Sequence, residues 1–223
     1  MKKISNRFQR VCDIITRGFS GYTSRSCCII ISKIFCPENV SNIAAFVICL
    51  GTNDSSGKLD ATEYHVPIKE YIENLEEIIK YLQHIGLNKN KIVLMTPGPY
   101  HHEKFTKWCY ENGRTFPNKD NKLVSEYVKT CLSLAMKHNL DVINLYEEMM
   151  KDKDWSRFLT DGVHFSRDGS HLIYNLLHPV LEKKIDASEM LLPYWREINH
   201  IHPYDAKDDL CIKKCPNLTI KSS

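Results

Sequence analysis

The sequence lacks several features that would assign it quickly to a class of protein. Its 223 residues contain no apolar run near 18 residues, so no membrane-spanning helix is expected. The 30 Lys and Arg side chains are interspersed with 27 Asp and Glu side chains, and this pattern gives nucleic acid binding no support. Residues 1–7 are too polar for a secretory signal peptide. We therefore expect a cytoplasmic protein with no membrane span and no nucleic acid partner.

The cysteines lack the arrangement of a disulfide framework or a metal site. Nine are scattered along the chain, an odd number that fits reduced thiols in the cytoplasm. Cys211 and Cys215 are close together, but no second pair completes a zinc site. Asn217-Leu218-Thr219 fits a glycosylation sequon, which stays unused without secretion. We expect no metal and no cofactor.

The composition is that of an ordinary globular protein. Hydrophobic residues make up 43% and charged residues 26%, which is enough apolar mass for a core. The length suits one domain or at most two. We predict one domain over residues 1–196 and a weakly ordered tail over residues 197–223.

Predicted strands and helices alternate along the body of the chain. Short apolar runs predict strands over residues 11–16, 44–50, 91–96 and 141–145, and apolar spacing predicts helices over residues 24–35, 67–82, 122–138 and 168–181. The uninterrupted run 44–50 is typical of a strand buried on both faces, whereas residues 100–117 look loop-like. Such alternation predicts a parallel sheet covered by helices, with the functional loops at the carboxyl ends of the strands.

Asp161 stands three residues before His164 in a predicted turn that leads into the last helix. In serine hydrolases a carboxylate orients an imidazole, which takes the proton of the nucleophile. Two further residues offer hydrogen-bond donors for an oxyanion: the side-chain amide of Asn53 and the backbone N–H of Gly21. Taken singly, each is also what an ordinary turn favours.

In this order and spacing, the motifs resemble those of the SGNH (GDSL) hydrolase family, and within it the isoamyl acetate-hydrolysing esterases. The resemblance spans roughly residues 5–196 and rests on ordered blocks that follow predicted strands or flank helices. These blocks are Arg17-Gly18-Phe19-Ser20-Gly21-Tyr22, Gly51-Thr52-Asn53-Asp54-Ser55, Thr96-Pro97-Gly98-Pro99, Asp161-Gly162-Val163-His164-Phe165-Ser166 with Gly169, and Leu191-Leu192-Pro193-Tyr194-Trp195.

The resemblance implies a fold and a set of roles. It implies an α/β protein with a flavodoxin-like three-layer α/β/α sandwich that hydrolyses carboxylic esters without a metal. It further implies that His164 is the general base, that Asp161 orients it, and that Gly21 and Asn53 form the oxyanion hole.

The chain departs from the family at the nucleophile. The family's Gly-Asp-Ser block, which ends its first strand and supplies the nucleophilic Ser, occurs nowhere in this sequence. We therefore expect the first, inner strand and the front of its helix, roughly 20–30 residues, to be missing. Ser20 is the nearest substitute, but residues 18–22 do not form a nucleophile elbow because position 22 is Tyr. We identify no nucleophile.

These observations predict a carboxylic ester hydrolase for small or lipid-like esters, with little or no activity of its own. Three alternatives stay open: a catalytically dead binding protein, a truncated gene product, and a chain that does not fold stably alone. His101 and His102 follow a predicted strand end, where they are either solvated loop residues or part of an acyl or alcohol pocket.

Overall fold

The computed structural model describes residues 2–57, 64–114 and 119–185. The chain divides into a large unit, Gly18–Lys184, and a small unit made of Met1–Arg17 and Ile185–Ser223. The described part of the small unit contains one helix, α1 (Lys2–Phe8). The predicted tail from residue 197, the block at residues 191–195 and the Cys211–Cys215 pair lie outside the described residues.

The large unit alternates strands with helices, as the sequence predicts. Its elements are α2 (Ser24–Ile34), α3 (Pro37–Val40), β1 (Phe46–Cys49), α4 (Ile68–His84), β2 (Ile92–Met95), α5 (His102–Glu111), α6 (Asn121–His138), β3 (Asp141–Ile143), α7 (Leu145–Met150) and α8 (Arg167–Lys184). Two 3₁₀ turns, Lys89–Lys91 and Trp155–Phe158, complete the described set.

The three strands form one parallel sheet in the order β1-β2-β3. Val47 pairs with Val93, and Met95 pairs with Ile143. The predicted α/β class, a three-layer α/β/α fold with a parallel sheet, is confirmed, although the sheet is short. Every residue of β2 is buried, as expected for a central strand under two helical layers.

Tyrosines of two long helices fix the covering layer to the loops around the sheet. The rings of Tyr71 in α4 and Tyr127 in α6 are fully buried, and their centroids lie 5.1 Å apart. The Tyr71 hydroxyl donates to the carbonyl of Leu50 at 3.1 Å, and that of Tyr127 donates to the carbonyl of Val66 at 2.6 Å. Each buried hydroxyl is therefore satisfied while its ring fills the core.

The expected strand over residues 11–16 does not form. These residues adopt no regular structure, and Ile15 is 70% exposed. A short apolar segment becomes a strand only when another strand satisfies its backbone groups, and none of the described residues does so here. The prediction of a strand at this position is wrong for this structure.

The prediction that the run 44–50 is buried on both faces is also wrong. Ile48 is buried, but the other residues of β1 are not, and Cys49 is exposed. The reason is that β1 pairs with β2 on one side and with no other strand in the described part of the chain. It carries none of the charged or Pro residues that protect edge strands in natural proteins. Its composition is that of an inner strand.

Part of the segment 100–117, which was predicted to be loop-like, is helical, since α5 covers His102–Glu111. The ring Nδ1 of His101 accepts a hydrogen bond from the N–H of Lys104 at 3.3 Å, which caps the first turn. Cys109 and the half-buried Phe105 supply the inward face. The helix contributes to the site described next.

Candidate active site

The loops that follow β1 and β2 meet at the carboxyl edge of the sheet, together with the turn before α8. The ammonium of Lys119 donates to the carbonyl of Thr52 and lies 5.4 Å from the centre of the Tyr100 ring. The N–H of His101 donates to the carbonyl of Gly162 at 2.9 Å. The predicted convergence of these loops is therefore present in the structure.

Asp161 and His164 form a carboxylate–imidazole pair. Oδ2 of Asp161 lies 2.7 Å from Nδ1 of His164, while Oδ1 accepts from the backbone N–H groups of Val163 at 2.9 Å and His164 at 2.8 Å. The Asp161 side chain is only 8% exposed, whereas that of His164 is 73% exposed. A carboxylate at Nδ1 favours the tautomer that leaves the lone pair on Nε2, which is the nitrogen a general base uses.

Short contacts hold both ends of this turn. Leu159 and Phe165 form an isolated antiparallel bridge. The N–H of Thr160 donates to the carbonyl of His164 at 2.8 Å. The hydroxyl of Ser166 then accepts from the N–H of Gly169 at 3.1 Å in the first turn of α8. These contacts hold the backbone on both sides of Asp161 and His164 in place, so the position of the imidazole is fixed.

The carboxyl of Asp161 makes stability depend on pH. Burial by itself would raise its pKa, but hydrogen bonds from the His164 ring and from two backbone N–H groups outweigh burial and lower the pKa. A group whose pKa is lower in the folded state stabilises the protein above its unfolded pKa, about 3.9, and this stability is lost as the pH falls through the folded value.

We expect Asp161→Asn to lower the free energy of unfolding by about 1–3 kcal/mol at neutral pH, because the charged acceptor is lost. The difference between wild type and variant should shrink as the pH is lowered towards about 3. Urea unfolding over a series of pH values measures it. A difference that stays constant with pH would contradict this assignment of the carboxylate.

The two predicted oxyanion donors lie in neighbouring loops. Nδ2 of Asn53 donates to the carbonyl of Tyr22 at 2.9 Å, which ties the loop after β1 to the residue beside Gly21. Gly21 has φ +75°, a conformation that side chains disfavour, and a Cβ there would lie 3.3 Å from the hydroxyl of Tyr64. One N–H of the Asn53 amide is therefore engaged, and at most one serves an oxyanion.

Asp54, which the sequence reasoning did not single out, anchors the loop that carries Asn53. It is fully buried, and its Oδ1 accepts from the N–H of Ser24, the first residue of α2, at 2.8 Å. Its backbone carbonyl accepts from the N–H of Val66 at 3.1 Å. Burial raises the pKa of the Asp54 carboxyl. Its place directly after Asn53 is a usable sequence signal, whereas nothing in the sequence marks Lys119.

The structure brings no nucleophile to His164. In the described ranges, no hydroxyl is hydrogen-bonded to its ring, and Ser20 is exposed. Of the two loop histidines, His102 is exposed, but His101 is half-buried and lies 5.2 Å from the Trp155 ring, centre to centre. His101 is thus a helix cap rather than a solvated loop residue. No group of three metal-binding side chains is found in the part that the structure describes.

A parallel three-layer α/β/α fold with a buried carboxylate holding an exposed imidazole matches one class of protein, the hydrolases of ester bonds. Within that class, the chain belongs to the GDSL-like lipase/acylhydrolase family, whose family model matches residues 32–177. The resemblance expected from the motifs is confirmed.

Two mammalian relatives are about one-third identical to this chain over the aligned residues. This chain is 34% identical over 201 residues to the human isoamyl acetate-hydrolyzing esterase 1 homolog. The aligned region covers 90% of this chain and 81% of the human protein. The rat protein of the same name is 36% identical over 202 residues, with the same coverage.

Solved structures show the same fold. A lipase/acylhydrolase from Enterococcus faecalis has a TM-score of 0.56 and 25% identity, covering 74% of this chain and 73% of the other. A catalytic mutant of an acetylxylan esterase from Geobacillus stearothermophilus has a TM-score of 0.60, with 80% and 78% covered. At 18% identity, this second similarity concerns the fold alone. None of the described helices is long and apolar enough to cross a membrane.

Proposed function

We propose that His164 is the general base of an esterase site, that Asp161 orients it, and that Asn53 and Gly21 bind the oxyanion. The observation that carries the proposal is the 2.7 Å contact between Asp161 Oδ2 and His164 Nδ1. Two backbone N–H groups hold the other carboxylate oxygen, so the carboxylate is fixed before any substrate arrives. Such preorganisation is what catalysis by an orienting carboxylate requires.

In the proposed reaction a serine hydroxyl attacks the ester carbonyl, and Nε2 of His164 takes the hydroxyl proton. Asp161 stabilises the imidazolium that forms, and the donors at Asn53 and Gly21 stabilise the tetrahedral oxyanion. His164 then returns the proton to the leaving alcohol, and water hydrolyses the acyl-enzyme in the same way. The chain itself contributes the base, the orienting carboxylate and the oxyanion donors to this reaction, but we identify no nucleophile in it.

The substrates we propose are small or lipid-like esters. The names of the curated relatives refer to isoamyl acetate, and an apolar side chain, Phe165, follows His164 directly. Phe165 is 37% exposed, and its ring lies 3.2 Å from the position of a Cβ at Gly98. We also propose that the protein works in the cytoplasm, in keeping with the odd number and scattered placement of the cysteines in its sequence.

We expect the 223-residue chain to hydrolyse p-nitrophenyl acetate and butyrate no faster than its His164→Ala variant. Loss of one triad member leaves up to about 10³–10⁴-fold catalysis over water, but only where the oxyanion hole is intact. Here β1, which carries the Asn53 loop, is paired on one side only in the described sheet. Release of p-nitrophenol by the purified protein is the measurement. Robust turnover that His164→Ala abolishes would overturn the proposal that the chain has no nucleophile.

A second candidate function is binding without turnover, favoured by the absence of a hydroxyl at His164 in the described ranges. Titration calorimetry with butyrate, the carboxylate product, tests it. Saturable binding that Asn53→Ala weakens would support a binding protein that retains the pocket. If butyrate does not bind saturably, the ester hydrolase is the better proposal.

A further inference from the structure

The amino end of α5 supports the turn that carries the proposed base. The N–H of His101 donates to the carbonyl of Gly162, between Asp161 and His164, at 2.9 Å. The fit is close, because a Cβ at Gly162 would lie 2.5 Å from the carbonyl oxygen of His101 and 2.7 Å from the nitrogen of Phe105. Any change in the position of α5 is therefore transmitted directly to the turn.

Lys104, near the amino end of α5, contacts the segment that leads into the Asp161–His164 turn. Its ammonium donates to the carbonyl of Ser156 at 2.8 Å and to that of Leu159 at 3.3 Å. Ser156 lies in the 3₁₀ turn, and Leu159 precedes the turn residues and pairs with Phe165 just after them. The ammonium adds a second donor to the Ser156 carbonyl, which already accepts from the N–H of Leu159 at 3.1 Å, and a charged donor to the carbonyl of Leu159.

Lys104 makes none of its hydrogen bonds to the reacting groups themselves. Its partners are backbone carbonyls on the segment that enters the turn, and charge-assisted bonds of this kind are stronger than neutral ones. The His101–Gly162 hydrogen bond fixes the middle of the turn, and the hydrogen bonds of Lys104 fix the segment before it. Two residues at the amino end of α5 therefore contact the turn and its entrance. The position of the exposed imidazole depends on these two contacts, because among the described residues Asp161 alone is hydrogen-bonded to its ring.

We propose that Lys104 is a positioning residue for His164, one that fixes the segment leading into Asp161 and thereby keeps the Asp161–His164 hydrogen bond closed. The inference rests on the proposed function, in which His164 is the base. Loss of the ammonium removes the charged donor that joins the carbonyls of Ser156 and Leu159 to α5 and lets the entrance of the turn move. The hydrogen bond then opens more often, although neither of its partners has been changed.

The test uses the full chain and proton NMR of the His164 ring, which needs no turnover. The proton on Nδ1, held by a carboxylate at 2.7 Å, gives a downfield resonance whose exchange with water reports opening of the bond. In Lys104→Met we expect this exchange to be accelerated at least about tenfold, which corresponds to about 1.4 kcal/mol. Lys104→Arg, which retains charge and donors, should restore slow exchange.

Lys107→Met is the matched control. Lys107 lies on the same helix, its side chain is 78% exposed, and it lies 3.9 Å from Glu111. It should leave the resonance unchanged. Lys104→Gln, with an uncharged N–H donor, is a second and milder variant in case Lys104→Met does not fold, and we expect an intermediate acceleration.

The outcomes separate this inference from the proposed function. If the ring 15N shifts of wild-type His164 show that Nδ1 carries no proton at neutral pH, the Asp161–His164 bond itself is refuted, and both proposals fall. If wild type has the resonance and both Lys104→Gln and any folded Lys104→Met retain its slow exchange, only the role of Lys104 is refuted. A lower melting temperature with unchanged exchange would assign Lys104 to stability alone and overturn the positioning role.

Discussion

A protein extended at its amino end by a strand that carries Gly-Asp-Ser is expected to hydrolyse p-nitrophenyl butyrate at least about 10³-fold faster than the 223-residue chain. The added piece is a strand of about six apolar residues, the Gly-Asp-Ser block and a helical segment that leads into α1. The large effect follows from restoring the one group that the proposed site lacks, since members of a catalytic triad act as a unit.

The structure offers a place for such a strand. β1 pairs with β2 on one side, and no described strand pairs with its other side. Its residues Phe46–Cys49 carry no edge-protecting charge or Pro. A strand that pairs in parallel with β1 would end beside the loop of Gly51 and Asn53, because parallel strands end at the same edge. The Ser would then lie on the side of the sheet where the Asp161–His164 turn is found.

Two controls make this experiment specific. The same extension with Gly-Asp-Ala, and the Gly-Asp-Ser extension combined with His164→Ala, should both return turnover to the level of the shorter chain. Hydrogen exchange of the β1 amides should slow in both extended proteins, which reports strand pairing separately from chemistry. Slowed exchange without a gain in turnover would refute the proposed roles of His164 and Asp161. Turnover that survives Gly-Asp-Ala would locate the nucleophile elsewhere.

Gly162→Ala is expected to lower the free energy of unfolding by about 2–6 kcal/mol, the second large effect. Two costs add. Gly162 has φ +99°, where a non-glycine residue costs about 1–3 kcal/mol. In addition, the new Cβ would lie 2.5 Å from the carbonyl oxygen of His101, and relief of such overpacking costs about 1–3 kcal/mol. The carbonyl oxygen of His101 belongs to the backbone, so no side-chain rotation relieves the contact.

Gly113→Ala is the matched control for this substitution. Gly113 also has a positive φ, +61°, but a Cβ there meets nothing within 4 Å. We therefore expect it to cost only the backbone component, about 1–2 kcal/mol. Urea unfolding of the two variants, compared with wild type, separates conformational strain from the clash with α5. Equal losses in both variants would contradict close packing between the turn and α5.

Features that local patterns encode could be predicted from the amino-acid sequence. Alternating apolar runs and helical spacing predicted the parallel α/β architecture, because the periodicities of strands and helices are properties of a few neighbouring residues. The three-residue spacing of Asp161 and His164 predicted their contact for the same reason, since one turn closes it. The absence of Gly-Asp-Ser was also visible directly, and the family assignment followed from the order of the remaining blocks.

Hydrogen bonds between backbone groups and residues far along the chain could not be predicted in this way, because they depend on the folded arrangement. The segment 11–16 and the run 44–50 are both predicted to be strands, yet the first forms no strand and the second forms a half-exposed one, because strand formation depends on neighbours. The ammonium of Lys104 bonds carbonyls 52 and 55 residues away. That of Lys119 bonds one 67 residues away. No short motif marks such a lysine, since its role depends on which carbonyls folding places within its reach.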